Sequence, residues 1–189
     1  MKTFSYFQKK MTYFMRHGED NELKTPEWWD LTQTGIEQIR QRGKELLQFL
    51  LRQKPEITEV SIYHTPAKRW KQSAEVLSQE IQAGLRIKKI VPEEFLQNTD
   101  MPANKITEET VKEFLSSRQP SAEETQIIIS HSNVLWQLAF TMFNMFRTSL
   151  RTQNKQLPFS FPGHDYHHGD LTDEYGNSVR TESGDHEKK

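Results

Sequence analysis

The sequence predicts an α/β fold, a three-layer α/β/α sandwich in which helices cover both faces of a mostly parallel central sheet. Short apolar runs alternate along the chain with longer segments whose apolar residues recur at helical spacing. Three of the short runs, at 11–15, 60–63 and 126–129, stop abruptly at polar residues, as buried strands do. A chain of 189 residues can bury a sizeable core, so we expect one domain of this type.

The first strand and the first helix follow from residue type and spacing. The run 11–15 combines aromatic and β-branched side chains, which are typical of a strand. Apolar residues then recur at helical spacing over 33–52, which predicts an amphipathic helix. Thr32 stands directly before it, where its hydroxyl can accept a hydrogen bond from an unpaired backbone N–H.

The middle of the chain repeats this order. A strand at 60–63 leads to a helix over 67–82, with Pro66 predicted in the first helical turn. The alternating segment 85–91 predicts a third strand, and a loop-like stretch over 91–105 follows it.

The last part of the chain supplies one more strand between two helices. A short helix is predicted over 106–118, with Thr107 as a possible cap, and the clearest buried strand of the chain lies at 126–129. The helix over 134–146 is apolar on nearly every side, which predicts that it packs inside the protein. The segment 170–181 has the composition of a hairpin.

Composition limits the partners and the compartment. The 25 Lys and Arg residues balance 26 Asp and Glu residues, which excludes a strongly basic nucleic-acid binder, and no apolar run approaches the ~20 residues that span a bilayer. The absence of cysteine excludes disulfides and thiolate chemistry and suits a cytoplasmic protein. We therefore expect a polar lead-in over 1–10, one domain over 11–183 and a flexible tail over 184–189, with no nucleic-acid or membrane partner.

Charged and imidazole side chains follow the predicted strands at the points where they end. The first strand leads to Arg16 and His17, the second to His64 and, one helical turn later, Arg69, and the fourth to His131. Because the carboxyl ends of parallel strands share one edge of a sheet, these groups are expected to line one crevice. Two guanidiniums and free helix N-termini in such a crevice favour an anion with several oxygens, such as phosphate. We interpret His64 as a turn residue rather than a site residue.

Histidine adds chemistry to that binding. A neutral imidazole nitrogen can attack phosphorus and carry the phosphoryl group covalently, which divides one displacement into two steps. A second imidazole and two guanidiniums would stabilise the charge on the equatorial oxygens in the transition state. This chemistry requires no metal and no cofactor, because the arginines supply the positive charge.

Four sequence blocks, which lie in order between residues 12 and 146, resemble the histidine phosphatase superfamily, in its branch-one, phosphoglycerate-mutase-like form. Tyr13–Glu19 is similar to the nucleophile motif of that family, and Leu31–Gln38 to its second block. Tyr63–Ala74 resembles the block that carries an arginine, and Ile128–Val134 the block that carries the second histidine.

The resemblance implies a role for each matching residue. His17 would be the nucleophile that becomes phosphorylated, and Arg16, Arg69 and His131 would bind the phosphate, with Ser132 beside them. Many members of the family carry glycine at the position of Ser132. The implied reaction is the hydrolysis of a phosphomonoester or phosphoprotein through a phosphohistidine intermediate.

The sequence departs from the family pattern at the proton donor. Members usually place a carboxylic acid after the third strand, and here Glu94 is our candidate for it. If this segment is aligned with the family pattern in another register, an amide, Gln97 or Asn98, occupies the position of the acid, and an amide is a poor proton donor. The alternatives are the other nearby carboxylates and the two amides: Glu93, Glu19, Asp20, Gln97 and Asn98. A phosphohistidine or an acyl phosphate leaves more readily than an alkyl phosphate and needs less help from an acid.

These observations leave a first prediction and two alternatives. The first is a metal-independent phosphatase that acts on a small phosphorylated metabolite or a phosphoprotein. A non-catalytic phosphate-binding module without a working acid is the alternative from another class. A phosphoglycerate-type mutase ranks lower, because the chain has little room for the insertions that close over a mutase substrate.

A histidine-rich run near the C-terminal end offers a separate possibility. His164, Asp165, His167, His168 and Asp170 are metal-ligand types close together. They lie among glycines and a proline in a polar region, so we interpret the run as a loop or a strand entrance and assign no metal ligand.

Overall fold

A computed structural model describes residues 12–21, 30–97, 107–117, 121–151, 167–173 and 178–179. The elements occur in the order β1 (Thr12–Arg16), α1 (Gln33–Gln53), β2 (Glu59–His64), α2 (Lys68–Ile81), β3 (Arg86–Pro92), a 3₁₀ turn (Glu94–Gln97), α3 (Glu108–Ser116), β4 (Glu124–Ser130), α4 (Ser132–Arg151) and β5 (Leu171–Thr172). The predicted alternation of strands and helices is therefore present.

The five strands form one sheet in the order β3-β2-β4-β1-β5. The first four are parallel to one another, and β5 pairs antiparallel with β1 at one edge. Each parallel connection runs through a helix, as parallel pairing requires. The predicted mostly parallel sheet is confirmed.

Two apolar cores lie on opposite faces of the sheet because side chains alternate along each strand. On β1, Tyr13 and Met15 belong to the core beneath α1 and α2, whereas Phe14 belongs to the core beneath α3 and α4. On β4, Ile127 and Ile128 separate in the same way. The result is the three-layer α/β/α sandwich that the sequence predicts.

Helix caps largely follow the predictions. The Thr32 hydroxyl accepts a hydrogen bond from the Gly35 N–H at 3.0 Å, and the Thr107 hydroxyl accepts one from the Thr110 N–H. The prediction for Pro66 is wrong, because α2 begins at Lys68 with Ala67 in extended conformation before it. Pro66 therefore belongs to the turn that leaves β2.

The helix α4 is not buried on every side. Trp136 and Phe140 are about 40% exposed and stack on each other with ring centroids 5.0 Å apart, whereas the prediction placed this helix inside the protein. Because apolar residues occur on nearly every side of this helix, the sequence did not indicate which side is exposed. Within the described residues, no helix is long and apolar enough to span a bilayer.

The predicted hairpin over 170–181 is seen in part. Leu171 and Thr172 form β5, and Thr172 bridges Ser178 in antiparallel fashion. Its predicted tip at 175–177, the lead-in over 1–10 and the tail over 184–189 lie outside the described residues.

Candidate active site

The strand register brings the predicted site residues to one edge of the sheet. Arg16 at the end of β1 lies opposite Ser130 at the end of β4, and His64 at the end of β2 lies opposite Ile129. The residues that follow β1 and β4, His17 and His131, are therefore neighbours at the carboxyl edge. Their ring centroids are 5.9 Å apart.

His17 is buried, with a defined tautomer. Its Nδ1 lies 2.8 Å from the carbonyl oxygen of Gly18. A carbonyl only accepts hydrogen bonds, so Nδ1 carries the proton and Nε2 keeps its lone pair. The pKa of His17 is lowered to about 2, mainly by burial and also by the positive charge of Arg69, against the raising effect of the Gly18 hydrogen bond. The ring is therefore a neutral base at physiological pH.

His131 is neutral for similar reasons. Its pKa is lowered to about 3, mainly by burial and also by the nearby charges of Arg69 and Arg16. Its ring packs edge-on against Trp70, with centroids 4.2 Å apart, and Trp70 also contacts His17 at 5.4 Å. An aromatic wall thus joins the two imidazoles and excludes water from them.

Arg16 is held by a histidine from the far end of the sequence. Its Nη2 donates a hydrogen bond to Nε2 of His168 at 3.2 Å, and the His168 ring lies 5.1 Å from that of His17. The turn before β5 brings His168 to this place, because the Gly169 N–H donates to the His17 carbonyl. Gly169 has a φ of +76°, a backbone conformation that glycine adopts without strain.

Arg69 reaches the site from the first turn of α2. Its side chain is 4% exposed, and its Nη1 lies 3.2 Å from Oδ2 of Asp20. The same carboxylate oxygen lies 3.5 Å from Nδ1 of His17. Asp20 therefore connects the predicted nucleophile to the second guanidinium.

Close backbone packing fixes the segment after His17. A Cβ on Gly18 would lie 2.3 Å from the Gly35 carbonyl oxygen, and a Cβ on Gly35 would lie 2.1 Å from that of Glu19. Both motif glycines are thus required by the contact between this segment and the first turn of α1. The Gly18 N–H also donates to the Ser73 hydroxyl at 3.4 Å, which ties the segment to α2.

Apart from Asp20, the carboxylates that are candidates for the proton donor lie after β3 or face α1. Glu94 is exposed at the start of the 3₁₀ turn, and Glu93 is half-buried beside it. In the part of the chain that the structure describes, no hydrogen bond or ion pair joins the Glu94 carboxylate to His17 or His131. Glu19 faces α1, where its carboxylate accepts a hydrogen bond from the Thr32 hydroxyl.

Ser132 flanks the pocket, whereas His64, interpreted from the sequence as a turn residue, does not. Ser132 is the first residue of α4, half-buried next to His131. The His64 ring turns instead to its own side of the sheet edge, where its Nδ1 contacts the Thr65 carbonyl and where it lines a cavity of about 650 Å³ with Lys68 and Lys71. Burial lowers the pKa of His64.

Sequence reasoning missed His168 and Trp70 as site residues. His168 stood in a run interpreted as a loop or strand entrance, and it does precede β5, but no local pattern indicates that β5 pairs with β1. Trp70 was interpreted as part of the apolar face of α2, and its only link to the pocket in the sequence was the adjacent Arg69. Among the described residues, no group of histidine and carboxylate side chains has an arrangement that could hold a metal ion.

Comparison with known proteins gives a match at the level of the fold. No protein-family model and no curated protein sequence matches the chain. A solved structure from Agrobacterium tumefaciens, named as a phosphohistidine phosphatase SixA, is 14% identical with a TM-score of 0.52, over 87% of this chain and 90% of that one. A second SixA structure, from Nakamurella multipartitia, is 15% identical with a TM-score of 0.53, over 91% and 93%. The chain therefore shares the fold of these two structures, which is the α/β fold that its sequence predicts.

Proposed function

We propose that this protein is a metal-independent phosphatase that hydrolyses a phosphomonoester or a phosphoprotein through a phosphohistidine intermediate on His17. One observation carries the proposal. At a single sheet edge, a neutral imidazole with a free Nε2 lies 5.9 Å from a second imidazole, between two buried or half-buried arginines. This set of groups suits a nucleophile that attacks a bound phosphoryl group.

The first step transfers the phosphoryl group to the protein. Nε2 of His17 attacks phosphorus, the bond from phosphorus to the leaving atom breaks, and the leaving group departs with its electron pair and takes up a proton from solvent. In the second step a water molecule attacks the phosphohistidine and releases a proton to solvent, the bond from phosphorus to nitrogen breaks, and inorganic phosphate is released. The imidazole returns to its neutral state, ready for another cycle.

Arg16, Arg69 and His131 serve the transferring group in this proposal. Their N–H donors would hold the equatorial oxygens, whose charge is stabilised by the two guanidiniums. Solvent screens part of these surroundings only weakly, because Trp70 and Arg69 are each only 4% exposed. Fixed charges in such a site stabilise a transition state more strongly than the same charges in water.

Two buried N–H groups beside the histidines support a bound oxyanion. Nε1 of Trp70 and Nδ1 of His168 have no hydrogen-bond partner among the described residues. Nδ1 of His168 carries the ring proton, because Nε2 accepts from the Arg16 guanidinium. A buried donor without an acceptor costs free energy, and phosphoryl oxygens are acceptors of the kind that would remove this cost.

The nature of the leaving group follows from the carboxylates. Glu93 and Glu94 follow β3, which β2 and β4 separate from β1, and the Asp20 carboxylate faces the Nδ1 edge of His17 rather than Nε2. These positions favour substrates whose leaving group needs little protonation. We therefore propose phosphohistidine or acyl phosphate groups as the preferred substrates, in line with the phosphohistidine phosphatase names of the two similar structures.

Hydrolysis of an aryl phosphate, which has a good leaving group, tests the proposal. We expect turnover by the native protein to resist chelators and to fall by at least a thousand-fold in His17→Ala. The control is His167→Ala, which removes an exposed imidazole one residue from His168 and should leave turnover unchanged. Equal rates in the native protein and His17→Ala would reject the proposal. Phosphate binding without turnover in the native protein would favour the binding module.

A further inference from the structure

We propose that Asp20 is a positioning residue of the phosphoryl-transfer site, where its carboxylate balances the charge that His17 gains during attack and holds the Arg69 guanidinium. The inference rests on the proposed function and adds a group that the nucleophile and its phosphate ligands do not include. It also gives Asp20 a role other than that of a proton donor.

The contacts of Asp20 define a buried bridge. Its Oδ2 lies 3.5 Å from Nδ1 of His17 and 3.2 Å from Nη1 of Arg69. All three side chains are no more than 4% exposed. In the described part of the chain, Asp20 is the only carboxylate within ion-pair distance of the His17 ring. A charge in such a place acts on its neighbours with little screening by solvent.

Attack by His17 changes the charge of its ring. Nε2 gives its electron pair to phosphorus while Nδ1 keeps its proton, so a neutral imidazole becomes a cationic one. The groups around the ring oppose this change, because Arg69, His131 and His168 all disfavour positive charge on it. The neighbours that favour it are the Gly18 carbonyl, which accepts a hydrogen bond from Nδ1, and the negatively charged Asp20 carboxylate. The attraction between Asp20 and His17 is therefore stronger in the transition state than in the resting protein, which is the condition for a catalytic effect.

The position of the carboxylate argues against the role of proton donor. Nδ1 and Nε2 are on different edges of the imidazole ring, and Asp20 contacts the Nδ1 edge. The leaving group departs from the side of phosphorus opposite Nε2. A proton on Asp20 would therefore be on the wrong side of the nucleophile to reach it.

The backbone holds Asp20 in place. Asp20 and Leu31 form an antiparallel bridge, and the Asn21 N–H donates to the Asp30 carbonyl at 2.9 Å. The contact between Gly18 and Gly35 leaves no room for this segment to move toward α1. The Asp20 carboxylate is thus in position before the substrate binds.

The test compares Asp20→Asn with the native protein on an aryl phosphate. The amide keeps the size of the side chain and removes its charge. We expect kcat to fall at least ten-fold while the inhibition constant of inorganic phosphate stays the same or decreases, because Arg69 no longer shares its charge with a carboxylate. Glu37→Gln, an exposed carboxylate on α1 paired with Arg40, is the matched control and should change neither quantity.

Several results would overturn the inference. A loss of kcat smaller than ten-fold, or a gain that shows the carboxylate obstructing the pocket, would contradict it. A loss of kcat together with weaker phosphate inhibition would indicate a structural role instead. If Asp20→Asn does not fold, the smaller Asp20→Ser is measured in its place against the same criteria. A native protein that neither turns over nor becomes phosphorylated on His17 would instead reject the proposed function itself.

Discussion

Single side chains set the charge balance of the pocket. Two guanidiniums face two imidazoles that burial keeps neutral, with pKa values of about 2 for His17 and about 3 for His131. Asp20 supplies a buried negative charge at the back of the nucleophile. Positive charge therefore faces the proposed phosphate, and His17, which attacks it, stays unprotonated and keeps its lone pair.

Glu94→Gln tests whether the exposed carboxylate after β3 acts as a proton donor. Because Glu94 is exposed and makes no hydrogen bond or ion pair with His17 or His131 in the described part of the chain, we expect turnover of an aryl phosphate to change by less than two-fold. We expect the slow turnover of an alkyl phosphate, a poor leaving group, to be equally unaffected. The measurement is kcat/KM for both substrates in both proteins. A selective loss with the alkyl phosphate would assign the acid role to Glu94.

The contact between the segment after β1 and the first turn of α1 aligns the nucleophile. Gly35→Ala tests it, because the new Cβ would lie 2.1 Å from a backbone oxygen that cannot turn aside. We expect a loss of about 2 kcal/mol or more in the free energy of unfolding, measured in urea. In Gly84→Ala the new Cβ would meet the flexible Leu47 side chain at 3.1 Å, so the loss should stay within about 1 kcal/mol. Equal losses in the two variants would contradict this assignment.

Local patterns predicted the elements that build the sheet. Buried strands and amphipathic helices have periods that can be counted, so the predicted helix 33–52 differs from α1 by one residue at its end. The Thr32 cap followed in the same way, because a cap depends on residues only three positions away. Three strands ending in polar groups were enough to predict the edge at which the site would lie.

Contacts between distant segments explain what the sequence did not predict. His168 reaches Arg16 over 152 residues, through a short antiparallel strand at the sheet edge. Asp20 appeared only as one of several carboxylates near the nucleophile, because no pattern indicates which of two adjacent acids turns inward. Glu19 turns toward the cap of α1 and Asp20 toward Arg69. Such choices depend on tertiary packing rather than on local spacing.

For the whole molecule, burying a neutral histidine couples stability to pH. The unfolded chain protonates His17 near its ordinary value of 6.5, whereas the folded chain holds it neutral down to about 2. Between these values the unfolded state binds the extra proton, so stability decreases as the pH falls below 6.5. The contribution of one such group is at most ~1.4 kcal/mol per pH unit.

Urea unfolding at pH 5, 6 and 7 measures this effect. We expect the free energy of unfolding of the native protein to fall on acidification, with a shallower dependence in His17→Gln, which has no imidazole to protonate. His167→Ala removes an exposed histidine and should leave the slope unchanged. Identical slopes in the native protein and His17→Gln would show that burial of His17 does not depress its pKa.

Direct detection of the phosphorylated protein is the sharpest test of the account. The native protein would be mixed with phosphoramidate, a small phosphoryl donor, quenched in alkali within one turnover and mapped by mass spectrometry. We predict a single phosphoryl group on His17, absent from His17→Ala and present at the native level in His167→Ala. Steady turnover with no phosphate on His17, or with phosphate on another residue, would contradict the account.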